Sequence, residues 1–199
     1  MMDFMMMIGL ARGTVQLQVY LAEWKTLFER EAVLLRSTMG RAARHIEHVG
    51  STAIDGMPAK PIIDLVVVVS SLNEASEWIP TLEALGYEYR ANDTVADRLF
   101  FAKGLPSSRT HHLSLAEERS KFYAEKVLFR DYLISHREAF DEYVELKKEL
   151  AQRYAKDRTS YTEGKRGFVE RIIRLAKEKT VAEPETGIFF VRNEDRIAS

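Results

Sequence analysis

An α+β domain is the fold class this sequence predicts, and three observations carry it. Ile62 to Val69 is apolar and largely β-branched apart from Asp64, which reads as a central strand buried on both faces. Shorter strand-like segments lie around it, with one helical stretch among them. From about Ser120 the apolar spacing becomes helical. A small mixed sheet with helices packed on one side, followed by a helical C-terminal half, fits that order.

Taken in order, Val15 to Val19 alternates and predicts a short strand or an extended arm. Leu21, Trp24, Leu27, Phe28, Leu34, Leu35 and Met39 follow helical spacing, ending near Gly40. His45 to Val49 is a short strand. Ser71-Leu72-Asn73-Glu74 has the form of a capping box, opening a helix that Gly86 stops and Pro80 kinks or delays. Tyr87 to Arg90, Arg98 to Ala102 and Thr110 to Leu115 predict strands, the last two joined by a hairpin turn over Lys103 to Ser107. Helices are predicted over Phe122 to Leu133, from a Ser135/Glu138 capping box to about Tyr154, and from a Ser160/Glu163 box to about Lys179. Ile188 to Val191 is either an added edge strand or part of a disordered tail.

The 199 residues suffice for one domain with a sizeable core, placed at 15–179. Residues 1–14 read as a loose extension and 180–199 as a tail. The short apolar start lacks a basic region and a small-residue cleavage site, so it is not read as a signal peptide. No run is long enough to span a bilayer. A formal net charge of -1 means that any anion site must be local. The chain has no cysteine, which excludes disulfides and thiol chemistry and fits a reducing cytoplasm. Aromatic residues fall on amphipathic faces rather than among basic ones, so nothing signals nucleic-acid binding.

A phosphate-loop reading of Gly56 and Lys60 fails, because Pro61 disfavours a helical Lys60 and a strand follows. Gly50-Ser51-Thr52 lies just past a strand. Its glycine, free amides and hydroxyls can cradle phosphate oxygens, or it is a plain turn. Asp64, on the next strand, either faces that loop and holds a divalent metal or pairs with a nearby cation. His111 and His112 point to opposite faces of a regular strand, so at most one reaches the site. His48, two residues before Gly50, either orients the loop or plays a purely structural part. Lys60, Arg98, Lys103, Arg109 and Arg130 form a basic group suited to an anionic pocket. Tyr161 and Lys165 share a helix face, where they either close that pocket over a base or phosphate or form an exposed stripe.

Several separated motifs occur in an order that resembles the GrpB family. They are His48-Val49-Gly50-Ser51-Thr52, Ala59-Lys60-Pro61-Ile62-Ile63-Asp64, Arg98-Leu99-Phe100-Phe101, His111-His112-Leu113, Phe129-Arg130-Asp131-Tyr132-Leu133, and Tyr161 with Lys165. The resemblance spans about Val15 to Ala176. It implies a nucleotidyltransferase-like fold, a domain also found fused behind dephospho-CoA kinase, and His112 rather than His111 as the site residue.

Against the wider nucleotidyltransferase pattern, the second acid is replaced by Val66, on the same side of the strand as Asp64. The third is replaced by His111, His112 or Ser114. Asp64 with His112 suits one divalent ion, Mg²⁺ or better Mn²⁺ or Zn²⁺, rather than a two-metal centre. The expected function is binding of a nucleotide or other phosphorylated small molecule. Gly50, Ser51 and Thr52 form its cradle, and Lys60, Arg98, Arg130, Tyr161 and Lys165 form its surroundings. Any transfer would use Asp64 as metal ligand and His112 as ligand or general base. The alternatives are a non-catalytic phosphometabolite-binding module and a partner domain. Oligomeric state is left open.

Overall fold

The computed structural model describes residues 8–92 and 97–182. Helix α1 (Glu23–Met39) leads to strands β1 (His45–Val49) and β2 (Ile63–Val69). Two short helices follow, α2 (Leu72–Ala75) and α3 (Ile79–Ala84), then strands β3 (Tyr87–Tyr89), β4 (Leu99–Leu105) and β5 (Ser108–Glu117). Helices α4 (Lys121–Ser135), α5 (Arg137–Arg153), α6 (Arg158–Gly164) and α7 (Arg166–Ala182) complete the described chain. The sheet order is β1-β2-β5-β4-β3. Only β2 and β5 pair in parallel; the other neighbours are antiparallel. The fold is the α+β one that the sequence predicts, a mixed sheet followed by a helical C-terminal half.

Alternation along the strands sorts the sheet into two faces. Leu65, Val67, Val69, Phe101, Leu113 and Leu115 join Trp24 and Leu35 of α1 and Leu82 of α3 in the main core. The other face carries Asp64, Val66, His112 and Ser114, and Phe122 and Tyr123 of α4 pack over its apolar part. Helices therefore cover both faces, not one, because β2 is apolar on both and each must be buried. The loop after β1 sends Ile54 and Met57 into the helical half, where they pack with Leu133, Phe140, Tyr143 and Ile172. That plug holds the Gly50-Ser51 turn at the junction of sheet and helices.

The helix starts differ from the capping boxes. The Ser71 side chain makes no cap bond. Instead the Leu72 amide donates to a Glu117 carboxylate oxygen at 3.0 Å. Glu117 lies opposite Val69 in the parallel β2–β5 register, which places its carboxylate at the start of the helix. A 3-10 turn, Ser76–Trp78, then separates α2 from α3, whose first turn holds Pro80. The Ser135 hydroxyl donates back to the Asp131 carbonyl, because α4 runs through it, and α5 starts after His136. Asp157, not Ser160, caps α6, accepting the Ser160 amide at 3.0 Å. The helix predicted from Ser160 is broken at Lys165, which caps the C-terminus of α6 before α7 begins.

Val15 to Val19 is an arm rather than a strand, pairing only through a single bridge from Gln18 to Ala59. Residues 8–14, expected as part of a loose extension, are tied down. The Gly9 amide donates to the Pro61 carbonyl, and Leu10 bridges Arg109. Val15 donates to the Ala155 carbonyl and packs with Leu150 and Tyr161, so the arm crosses from the sheet to the helical half. Residues 180–182 belong to α7, while the Ile188–Val191 patch lies outside the described residues. Among the described residues no helix is long and apolar enough to cross a membrane.

The β4–β5 turn is tighter than predicted, with only Pro106 and Ser107 between the strands and an irregularity at Lys103/Gly104. Gly104 has φ +91°, and a Cβ there would run into the Ser108 carbonyl oxygen. Gly104→Ala is therefore expected to cost about 1–3 kcal/mol in denaturant unfolding. A wild-type midpoint would show that the turn tolerates a side chain.

Candidate functional site

Asp64 and His112 are partners in the β2–β5 register. His112 Nδ1 lies 3.0 Å from Asp64 Oδ1. The Asp64 side chain is 40% exposed and so reaches solvent, while His112 is 11% exposed. Burial pushes the Asp64 carboxyl up. The hydrogen bond and charge of His112, then Lys60 and Lys126, more than reverse this and hold it down at about 2. His112 also packs its ring 5.4 Å from Phe100.

Gly50 shows why this turn needs a glycine. Its φ is +72°, and a Cβ there would stand 2.5 Å from Asp64 Oδ2. The backbone of the turn thus lies directly against the carboxylate. Ser51 begins a 3-10 turn through Ala53. The Lys147 Nζ donates to Ser51 Oγ at 3.3 Å and, closely, to the Pro58 carbonyl. Thr52 is buried, and its hydroxyl lies 3.0 Å from His48 Nε2. It is therefore turned inward, away from the role of phosphate donor. His48 stacks on Phe28 at 4.6 Å, and burial lowers its pKa to about 4. It acts as a neutral brace for the loop.

Lys60 and Lys165 meet at Tyr161. The Lys165 and Lys60 ammonium groups lie 4.3 and 5.8 Å from the Tyr161 ring centroid. Tyr161 itself is buried, so its ring is a wall rather than an exposed stripe. Burial, then the charges of Lys60 and Lys126, lower Lys165 to about 7 against the pull of Asp64. Burial, then Arg158, lower Lys60 to about 8. One carboxylate thus faces several cations.

The remaining basic residues divide. Arg98 stacks over Phe100 and Phe122, with its Cζ 4.4 and 4.7 Å from their centroids, and donates to Ser114 Oγ at 3.1 Å. Ser114 pairs with Val66 in register, so Arg98 sits beside the positions where further acids would stand. Arg130 is committed elsewhere, donating to Glu47, Asp131 and the His48 carbonyl at 2.7 to 2.8 Å. It braces β1 against α4. Lys103 pairs with Glu31 on the far face, and Arg109 with Glu88. His111 also faces that side, near Glu31 and Lys103, and burial lowers it to about 4.

Two lysines of this region were missed, Lys126 on the Asp64 side and the buried Lys147 behind the Ser51 turn. Lys147 stands on α5 in line with Phe140, Tyr143, Val144 and Leu150, and is 1% exposed. A lysine inside an otherwise apolar helical stripe was the available signal. Lys126 carries no such signal; only the packing of α4 on the sheet brings its charge to Asp64, with its Nζ 5.4 Å from the Phe122 centroid.

Among the described residues, no cluster of three or more His, Asp and Glu side chains is set to hold a metal ion. Asp64 Oδ1 is engaged by His112, and the surrounding cations already balance its charge. The donor set does not fit a two-metal centre. Val66 shares the Asp64 face but is fully buried with Val49 and Ala116 beneath α4. Val66→Asp is expected to cost about 2–4 kcal/mol in unfolding experiments, with Arg98 offsetting part of the charge. It should create no tight ion site in calorimetry. A stable variant that gains tight Mg²⁺ binding would show that this position opens to the cleft.

A family profile described as GrpB protein matches residues 14–175. The chain is 36% identical to the glutamate-rich protein GrpB of Alkalihalophilus pseudofirmus, over 84% of this chain and 98% of that one. The crystal structure of conserved protein GrpB from Enterococcus faecalis superposes with a TM-score of 0.78 at 30% identity, covering 83% of this chain and 99% of that one. A dephospho-CoA kinase of Mycolicibacterium paratuberculosis is 38% identical over 81 residues, 39% of this chain and 20% of the kinase. With a profile match over most of its length and a solved relative of the same shape, the chain belongs to the GrpB family.

Proposed function

We propose that this protein binds a nucleotide or another polyphosphate-bearing small molecule in the cleft between Asp64 and Tyr161, without a two-metal centre. The supporting observation is the charge balance of the cleft: Lys60, Lys126 and Lys165 act on the single carboxylate Asp64. Lysine ammonium groups suit phosphate oxygens as point charges. The Gly50-Ser51 backbone, pressed against Asp64, forms the floor, and the Tyr161 ring forms a wall. The Asp64–His112 pair keeps the lysines gathered. It is also the group through which a single divalent ion would reach a bound phosphate.

Binding could serve single-ion nucleotidyl transfer or a non-catalytic module, and Val66 and Ser114 held by Arg98 favour the module. Turnover of labelled nucleoside triphosphates separates the two.

Calorimetry with ATP, tripolyphosphate and coenzyme A precursors tests the binding reading. Binding is expected in EDTA as well as with Mg²⁺ or Mn²⁺. Lys60→Ala should weaken it by about 1–3 kcal/mol. Unchanged affinity in that variant would return Lys60 to a structural role, and no heat from any polyphosphate would end the proposal.

The pH dependence has a definite sign. Lys165 carries charge below about 7 and Lys60 below about 8, and a bound anion favours both charged forms. Affinity should fall as pH rises from about 6.5 to about 9, and binding near pH 8 should take up protons. Without ligand, the unfolded chain keeps these protons to about pH 10.4 while the folded chain sheds them earlier. From these two groups, apo stability should therefore rise between about pH 7 and pH 10. A flat affinity profile over that range would show that neither lysine meets the anion.

A further inference from the structure

Lys147 takes no part in the binding reading, yet it is a lysine 1% exposed with no carboxylate partner among the described ion pairs. An unpaired buried charge is costly. Burial, then the charge of Lys165, lowers its amine well below the ordinary lysine value. Its Nζ has three neighbours: the Pro58 carbonyl, the Tyr143 ring with its centroid at 4.9 Å, and Ser51 Oγ at 3.3 Å. A neutral amine has two N–H groups and one lone pair. As the structure stands, Nζ donates to both oxygens; in the neutral amine the carbonyl keeps one N–H, and rotation about Cε–Nζ turns the lone pair to Ser51 Oγ, so that the hydroxyl donates instead of accepting. Ser51 is only partly buried and opens the turn that abuts Asp64.

We infer that Ser51 and Lys147 form a nucleophile–base dyad, and that Ser51 accepts a terminal phosphoryl group from a phosphoanhydride bound in the cleft. A serine beside a neutral lysine is a known form of activated nucleophile. In the step, the Ser51 Oγ–P bond forms and the terminal bridging P–O bond breaks. The leaving diphosphate takes the electron pair of that bond, with Lys60 and Lys165 meeting its charge. The hydroxyl proton passes to Lys147 Nζ. The product, phosphoserine 51, lies among cations that favour it. This inference rests on the polyphosphate reading of the cleft.

The test incubates the full chain with ATP, with and without Mg²⁺, and follows intact mass, peptide maps and ADP release. Wild type is expected to gain one phosphoryl group on Ser51, and Ser51→Ala to gain none. Lys147→Met keeps the buried volume with an apolar end. It should bind tripolyphosphate like wild type yet be modified about a hundredfold more slowly. If Lys147 only packs, that variant would be modified at the wild-type rate, and the dyad is then wrong. ATP bound without any Ser51 adduct, an adduct on another residue, or a nucleotidyl rather than phosphoryl adduct overturns the dyad while leaving the cleft reading intact. No binding of ATP or tripolyphosphate overturns both.

Discussion

A carboxylate set among protein atoms needs partners, and the arrangement of this molecule around Asp64 follows from that need. His112 meets one oxygen because β2 and β5 pair in a register that places the two residues side by side. Gly50 lies against the other because only a residue without Cβ fits there. Lysines from three separate elements then gather on the open side. Lys60 comes from the loop before β2, Lys126 from α4 and Lys165 from the break between α6 and α7. Removing the carboxylate would leave those cations repelling one another across a cleft that burial has already made unfavourable for charge.

Beside Asp64 and His112, the same face of the sheet carries Val66 and Ser114. Val66 is sealed in an apolar cluster under Phe122 and Tyr123. Ser114, its neighbour on β5, is held by Arg98, whose guanidinium is clamped between the Phe100 and Phe122 rings. In place of additional carboxylates that would call for metal ions, the structure offers a valine, a serine and a fixed cation. The charge around Asp64 is thereby mainly positive.

The helical half is joined to the sheet at more than one place. Ile54 and Met57 anchor the loop after β1 between α4, α5 and α7. The N-terminal arm hydrogen-bonds to Pro61 and Ala59 at the sheet and to Ala155 beside α6, with Val15 against Tyr161. Both ties converge on the segment carrying Ser51 and Lys60. That segment is therefore held by packing on either side, which fixes the positions of its charged groups.

Much of the fold was legible because it depends on local patterns: the β-branched run of β2, the helical spacing of α1, α4 and α5, and the turn residues between strands. Asp64 and Ser51 could be named as well, because an acid in an apolar strand and a Gly-Ser at a strand end are unusual within their own neighbourhoods, whereas His112 was preferred to His111 only through the family resemblance. Side-chain partners were not legible. Ser71, Ser135 and Ser160 have the right spacing for capping boxes, but Glu117, Asp131 and Asp157 decide where those bonds go. Arg130 reads as a cleft cation until Glu47 and Asp131 take its guanidinium. Lys126 is an ordinary helix lysine until α4 lies across the sheet. The sequence by itself determined the elements and the presence of a carboxylate that needed partners. Only the tertiary structure decided which cations reached it, because charge acts through space between side chains that the chain order keeps far apart.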